Sequence, residues 1–297
     1  MIQNYIHYIY FKNKHILFKY RIVKFNYSIS NIINDNNIEF FKIYIVNIIE
    51  QKLERDGLAI VENLSQDSWN EFNSIIHDEL SLILNFEGKT HKVSNLNEKR
   101  LQTYRKLNEI PNWESKYASL GLDYIKQLLG PDILIQRKLN LSVQIPNDES
   151  SLLGVHADSL SGQSPFEIVM WTAFTDVYDT NGMFYFDRKT SKKMFAEMPK
   201  YETEGLDYLR KKYWKHVKFL KMKPGQIALF TGTIFHGNVV NKTNKPRVSI
   251  NCRFKNLFSP QGETQSVDRG GSIFYKKLTE SIITRIGHEY LQRKIEF

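Results

Sequence analysis

His156 and Asp158 stand two residues apart in the stretch Gly154-Val155-His156-Ala157-Asp158. On an extended strand, residues i and i+2 project to the same side, so an imidazole and a carboxylate would converge on one point. A further histidine would complete a 2-His-1-carboxylate face, which holds a non-haem Fe(II) and leaves positions open for other ligands. His236 is the candidate, following Gly225-Gln226-Ile227-Ala228-Leu229-Phe230 and preceding Gly237-Asn238. Eleven residues on, Arg247 opens Arg247-Val248-Ser249, where strand alternation places guanidinium and hydroxyl on one face. Such a pair can grip a carboxylate, bidentately from the arginine and with a third hydrogen bond from the serine. A dicarboxylic acid chelating the metal at one end would be anchored at its other end in this way.

The doublet alone carries little weight. With 8 histidines and 32 acidic residues in 297 positions, roughly one His-x-Asp/Glu pair is expected by chance. His77-x-Glu79 is such a pair, but it lies in an amphipathic segment, residues 67–84, with Trp69, Phe72, Ile76, Leu80 and Ile83 on one stripe. On a helix, positions i and i+2 diverge, so His77 reads as a half-buried or surface helix residue. His156 and Asp158 differ in having a strand-like, glycine-flanked context.

Around these residues, helical spacing is expected at 39–55, stopping at Asp56-Gly57, at 67–84, and over Glu114–Leu129 before Gly130-Pro131. Leu58–Val61 reads as a short strand. From Asp132 onward, β-rich runs follow at 133–145, 154–159, 166–176, 182–187, 215–222, 226–231, 234–241 and 246–256, separated by turn signals such as Thr180-Asn181-Gly182 and Lys223-Pro224-Gly225. Residues 202–214 read as an inserted helix and Tyr275 to Phe297 as a terminal one. The pattern predicts a mainly β fold with flanking helices: a double-stranded β-helix (jelly roll, cupin-like) with N-terminal helices on one face. One domain is expected over 38–297, with a helical part at 38–131, a core at 132–258 and a helical tail at 259–297. Residues 1–37, rich in Ile, Asn, Lys and Tyr, have no periodic core face and read as an extension.

The net charge of +9 is uneven. Residues 1–34 hold five basic and no acidic side chains, and residues 188–223 hold twelve Lys/Arg against Glu197, Glu202, Glu204 and Asp207. A nucleic-acid binder would show one continuous basic face, so none is expected as partner. The second block separates the two ligand segments and is either a border of the site or a solvated insert. No stretch approaches the roughly 18 uncharged apolar residues of a membrane span. Cys252 is the single cysteine, and no secretory signal is recognisable, which suits a reducing cytoplasm.

This layout resembles the Fe(II)/2-oxoglutarate-dependent oxygenases, most closely the phytanoyl-CoA dioxygenase-like branch, over roughly residues 39–256. The resemblance implies that His156, Asp158 and His236 are the iron triad, that Arg247 and Ser249 bind the remote carboxylate of 2-oxoglutarate, and that Trp171 in Trp171-Thr172-Ala173 contacts that cosubstrate. Asn181-Gly182-Met183 and Lys223-Pro224-Gly225 resemble the family's Asn-Gly and Pro-Gly turns. It further implies a dioxygenase using Fe(II), 2-oxoglutarate and O2, hydroxylating or otherwise oxidising a small-molecule substrate with release of succinate and CO2. Phe186-Asp187-Arg188-Lys189 departs from the usual segment after the Asn-Gly strand and resembles members from surface-carbohydrate and aminosugar clusters. The implied substrate is therefore a sugar, nucleotide sugar or glycan intermediate rather than a long-chain acyl-CoA. Asp158 also argues against the halogenating variant, where a small residue stands there. Glu167 shares strand parity with Trp171 and could read a sugar hydroxyl or amine, or form a rim salt bridge; Gln144 is similarly placed. The alternatives are a non-catalytic carbohydrate-binding jelly roll, which an intact triad opposes, and an oxygenase acting on an acyl-CoA or other non-sugar substrate. A cupin-type metal site is disfavoured because its His-x-His pattern is absent.

Overall fold

The computed structural model describes residues 47–81, 84, 95–260 and 274–295. The extension at 1–37 and the start of the helix expected at 39–55 lie outside the described residues. Helical residues 47–56, here α1, end at Gly57, whose backbone N–H returns to Leu53 O. Gly57 has φ +74°, and a Cβ there would lie 2.3 Å from Ile234 Cγ2, so both conformation and packing demand glycine. Strand β1 (Leu58–Glu62) follows, then helices α2 (Gln66–Leu80), α3 (Leu96–Glu109), α4 (Trp113–Ser119) and α5 (Leu122–Leu129).

The strands are β2 (Ile133–Gln136), β3 (Asn140–Gln144), β4 (Glu167–Ala173), β5 (Phe184–Tyr185), β6 (Lys218–Phe219), β7 (Gln226–Thr231), β8 (His236–Gly237), β9 (Arg247–Asn256) and β10 (Tyr275–Thr279). They form two antiparallel sheets. The larger runs β1-β7-β4-β9-β2-β10, with β3 continuing beyond β2 along the same edge of β9; the smaller runs β6-β5-β8. The sheets face each other across one apolar layer. Leu58, Val169, Trp171, Ala173, Ala228 and Phe230 from the large sheet meet Met183, Leu220, Met222 and Ile234 from around the small one. This is the mainly antiparallel, helix-flanked double-stranded β-helix that the sequence predicts.

The helical layer covers the other face of the large sheet. Phe72, Ile76 and Leu80 form the buried stripe of α2, and Phe72 meets Tyr117 of α4 edge-on at 5.8 Å. The Tyr117 hydroxyl donates to Met170 O at 2.8 Å and lies 3.2 Å from both Ile250 O and Thr172 Oγ1. A single buried phenol thus ties the helices to the two central strands, β4 and β9.

Several expected elements differ. The helix over Glu114–Leu129 is two helices broken at Leu120-Gly121, where a Cβ on Gly121 would lie 2.9 Å from Met170 Sδ. Close approach to the sheet therefore takes precedence over helix continuity. Helices α3 and α6 (Arg188–Glu197) have no counterpart in the sequence reading, and the helix at 202–214 is α7 (Gly205–Tyr213). The tail is not helical from Tyr275. Tyr275–Thr279 is β10, paired with β2, and helix α8 (Ile282–Ile295) begins after Ser281, whose hydroxyl accepts from Thr284 N–H. The spacing Tyr275, Leu278, Ile282 and Ile286 mimics a helical stripe across this boundary. Residues 154–159 are not a continuous strand either: His156 pairs with His236 as a single bridge, and Asp158 opens a 3-10 turn, Asp158–Ser161.

Replacing Tyr117 with Phe should lower unfolding free energy by about 1–2 kcal/mol, the usual cost of deleting a buried hydrogen bond. Chemical denaturation of the variant against wild type measures it. An unchanged midpoint and slope would show that the hydroxyl does not tie the layers.

Candidate metal centre and carboxylate site

Two backbone features bring the triad together. His156 and His236 exchange backbone hydrogen bonds, His156 N–H to His236 O at 3.0 Å and His236 N–H to His156 O at 2.8 Å. Ala157 remains extended (φ −120°, ψ 135°), so Asp158 still projects to the side of His156 although the strand ends there. Close approach also depends on Gly237. A Cβ at that position would lie 2.8 to 3.0 Å from Phe184 Cζ, Leu153 O and Gly154 O.

The donor atoms of His156, Asp158 and His236 lie within 4.8 Å of one another. Asp158 and His236 are buried, while the His156 side chain is 20% exposed and marks the open side. In both histidines Nδ1 faces the carbonyl two residues before it, Gly154 O at 2.9 Å and Ile234 O at 3.0 Å. A carbonyl only accepts, so Nδ1 carries the proton and Nε2 keeps its lone pair for a metal. Burial pushes His236 down to about 4, against the pull of Asp158, and the ring is neutral at physiological pH. Asp158 Oδ1 accepts from Arg253 Nη2 at 2.8 Å and lies 3.6 Å from His156 Nε2. Oδ2 is buried with no hydrogen bond. Burial opposes ionisation of Asp158, but the Arg253 guanidinium beside it holds its carboxyl below the usual range. Two neutral Nε2 donors and a carboxylate with a buried, unsatisfied oxygen fit a divalent iron.

The second constellation centres on Arg247, only 1% exposed. Its Nε donates to Asn181 O (3.1 Å), Nη1 to Ser142 Oγ (2.9 Å) and Ser249 Oγ (2.7 Å), and Nη2 to Gln144 Oε1 (3.1 Å) and Asn238 Oδ1 (3.4 Å). All these acceptors are neutral, and among the described residues no carboxylate stands within ion-pair distance. Burial accordingly pushes the guanidinium down to about 10. Arg247 Cζ lies 5.6 Å from the centre of the Trp171 ring.

The matching family model is Phytanoyl-CoA dioxygenase (PhyH), over residues 53–249. The chain belongs to the phytanoyl-CoA dioxygenase family. It is an Fe(II)- and 2-oxoglutarate-dependent dioxygenase acting on a small molecule, not a non-catalytic jelly roll. No curated protein matches the sequence. Among solved structures, the non-heme monooxygenase ThoJ in its nickel complex is similar at 17% identity and TM-score 0.51, covering 84% of this chain and 96% of that one. EctD from S. alaskensis with bound Fe is similar at 14% identity and TM-score 0.47, covering 84% and 86%. The alpha-ketoglutarate-dependent epimerase SnoN from nogalamycin biosynthesis is similar at 14% and 0.46, covering 80% and 96%.

Within this family fold, Gln144 is not a free polar group facing substrate: its carbonyl oxygen is engaged by Arg247. Glu167 is not a rim residue. It is buried, accepts a hydrogen bond from Tyr275 Oη, and has Oε1 3.3 Å from Arg253 Nε. Arg253, Tyr275, Ser142 and Asn238 are given no site role in the sequence reading. The signal for Arg253 was parity, since Arg247, Ser249 and Arg253 share one face of β9. His77 sits half-buried on α2 and Glu79 pairs with Lys106.

Burial raises Glu167 to about 7, against the pull of Arg253. The folded protein then binds a proton more tightly than the unfolded chain, so the Glu167 contribution to stability falls as pH rises from about 4.5 to 7. Between pH 5 and 7 that loss is about 2 kcal/mol. In metal-free protein, Glu167→Gln should therefore gain about 2 kcal/mol relative to wild type over this range, measured by urea unfolding at both pH values. A constant difference would refute the shift.

Proposed function

We propose that His156, Asp158 and His236 hold the iron of this dioxygenase, and that Arg247 and Ser249 hold the remote carboxylate of 2-oxoglutarate beside Trp171. The observation carrying this reading is the pairing of two unbalanced polar centres inside one barrel. One has three convergent donors and a buried carboxylate oxygen without a partner; the other has a buried guanidinium with only neutral acceptors. A cation balances the first and an anion the second. An arriving carboxylate competes for the Arg247 N–H groups with Ser142, Ser249, Gln144 and Asn238. The two serines are hydroxyls that can turn from accepting to donating, and so add hydrogen bonds to the anion. When bound, iron and 2-oxoglutarate supply an oxidation that releases succinate and CO2 and is directed at a substrate C–H. The protein's part is to fix both Nε2 atoms, orient the carboxylate and keep the interior dry.

The substrate reading is a small polar molecule of carbohydrate type: a sugar, nucleotide sugar or glycan intermediate. It rests on the segment 186–189 and on the basic block 188–223, whose Lys189, Lys192, Lys193 and Lys200 are exposed. The single free cysteine, Cys252, is buried and is compatible with a reducing cytoplasm.

His156→Ala or Asp158→Ala should abolish iron-dependent succinate release from 2-oxoglutarate, and undiminished turnover would sink the triad. Arg247→Ala should weaken 2-oxoglutarate binding by about 2–5 kcal/mol, as removal of one partner of a buried charge pair does; an unaltered dissociation constant would reject its role. Succinate release should be stimulated by members of a nucleotide-sugar and aminosugar panel and not by long-chain acyl-CoAs. The reverse preference would replace the carbohydrate reading.

A further inference from the structure

Behind the triad lies a buried polar cluster that metal binding alone does not require. Arg253 is the hub. Its Nη2 donates to Asp158 Oδ1 at 2.8 Å, its Nη1 donates to Gln136 Oε1 at 3.1 Å, and its Nε faces Glu167 Oε1 at 3.3 Å. Glu167 is fixed at its other oxygen by the Tyr275 hydroxyl. These groups come from four strands of the large sheet: β2 (Gln136), β4 (Glu167), β9 (Arg253) and β10 (Tyr275). Register brings them together, with Tyr275 opposite Gln136 and Glu167 opposite Lys255, two residues beyond Arg253 on the same face. Glu167, Tyr275 and Asp158 are buried and Arg253 is nearly so, its side chain 12% exposed, and burying carboxylates and a guanidinium costs several kcal/mol per ion before pairing. An apolar core would hold the sheet more cheaply, so the cluster's cost points to a task at Asp158.

We propose that Arg253, backed by Glu167 and Tyr275, is a positioning residue that fixes the Asp158 carboxylate and thereby sets the affinity and geometry of the metal site. This rests on the triad reading above. Arg253 occupies one lone pair of Oδ1 and fixes the plane of the carboxylate. Oδ2 and the remaining lone pair of Oδ1 stay available to a cation between the imidazoles. In its ionised form Glu167 balances the Arg253 charge. Without it, the guanidinium charge falls undivided on Asp158 and competes with the metal. Tyr275 keeps Glu167 from turning toward the triad itself. Gly232 adds a steric reason for this arrangement: a Cβ there would lie 3.2 Å from Glu167 Oε1 and 3.4 Å from Asp158 Cβ.

The test is anaerobic titration of the full-length, metal-free protein with Fe(II) and with Co(II), read by calorimetry and by the visible d–d spectrum of bound Co(II). The variants are Arg253→Lys, Glu167→Gln and Tyr275→Phe, with Tyr117→Phe as a control that weakens the fold away from the metal site. Arg253→Lys and Glu167→Gln should bind either metal about 10–100-fold more weakly, the usual effect of removing an outer-sphere partner. Their Co(II) spectra should differ from wild type in shape, while Tyr117→Phe should change neither affinity nor spectrum. Tyr275→Phe, the mildest change, keeps the question open to measurement should the other two not fold, and it should weaken binding in the same direction. If wild type binds metal and every folded variant binds it within twofold and with the same spectrum, the positioning role is wrong and the triad stands. If wild type binds neither metal, the triad reading fails and this proposal with it.

Discussion

Two inward arginines on one strand, the buried Arg247 and the largely buried Arg253, constrain everything the fold can hold. They stand six residues apart on β9, about 20 Å along an extended chain, on the same inward face. Neither can shed its proton at physiological pH, so each demands compensation inside a low-dielectric interior. Arg253 receives it from within, from Asp158 and Glu167. Arg247 receives only hydroxyl, amide and carbonyl oxygens. The interior is therefore polarised along one strand: the Arg247 end attracts an anion, and the Arg253 end presents a carboxylate toward a cation. A chelating diacid that bridged a metal and a distant cation would match that polarity.

What could be read from the sequence follows the range over which each signal acts. Strand β9 was legible because alternation within ten residues fixes which side chains share a face, and the Arg247/Ser249 pair came with it. The convergence of His156 and Asp158 was legible for a reason only partly right. The backbone is extended through Ala157 and then turns, so parity survives for two residues although the strand does not continue. Elements set by tertiary contact were not legible. Gly121 breaks a helix because Met170 leaves no room, and Tyr275 joins a strand because Gln136 lies opposite it. Local spacing at 275–286 looks helical, and pairing with β2 overrides it.

The site divides in the same way. The candidate metal donors and Arg247 carry unusual chemistry at short spacing and stand out in the chain. Their supporting partners are ordinary residues. Ser142 and Gln144 gain meaning only when β3 pairs with the Arg247 end of β9. Glu167 looked like a candidate to face substrate because it shares parity with Trp171, and that parity is right. Its surroundings were hidden, since the arginine and tyrosine that engage it arrive from strands 86 and 108 residues away in sequence.

The basic segment between the two ligand segments shows how charge can mask a structural role. Its lysines suggested a rim, yet α6 and α7 turn an apolar face inward. Met194 and Leu209 pack in one buried cluster with Val155, Ala157 and Phe235. Those three residues alternate with His156, Asp158 and His236 along the chain, so the insert presses on the backs of the segments whose fronts carry the metal donors. Asp187 caps α6 by accepting from Thr190 N–H, and Ser191 in its first turn accepts from Phe235 N–H at 3.0 Å. That hydrogen bond pins the backbone amide of Phe235, the residue before His236. On the outer faces, Lys189, Lys192 and Lys193 of α6 are exposed, while Lys211 and Lys212 of α7 pair with Asp207 and Glu197. The inner faces fix the histidines, and a triad built on one backbone bridge needs such a buttress to keep its donor atoms together.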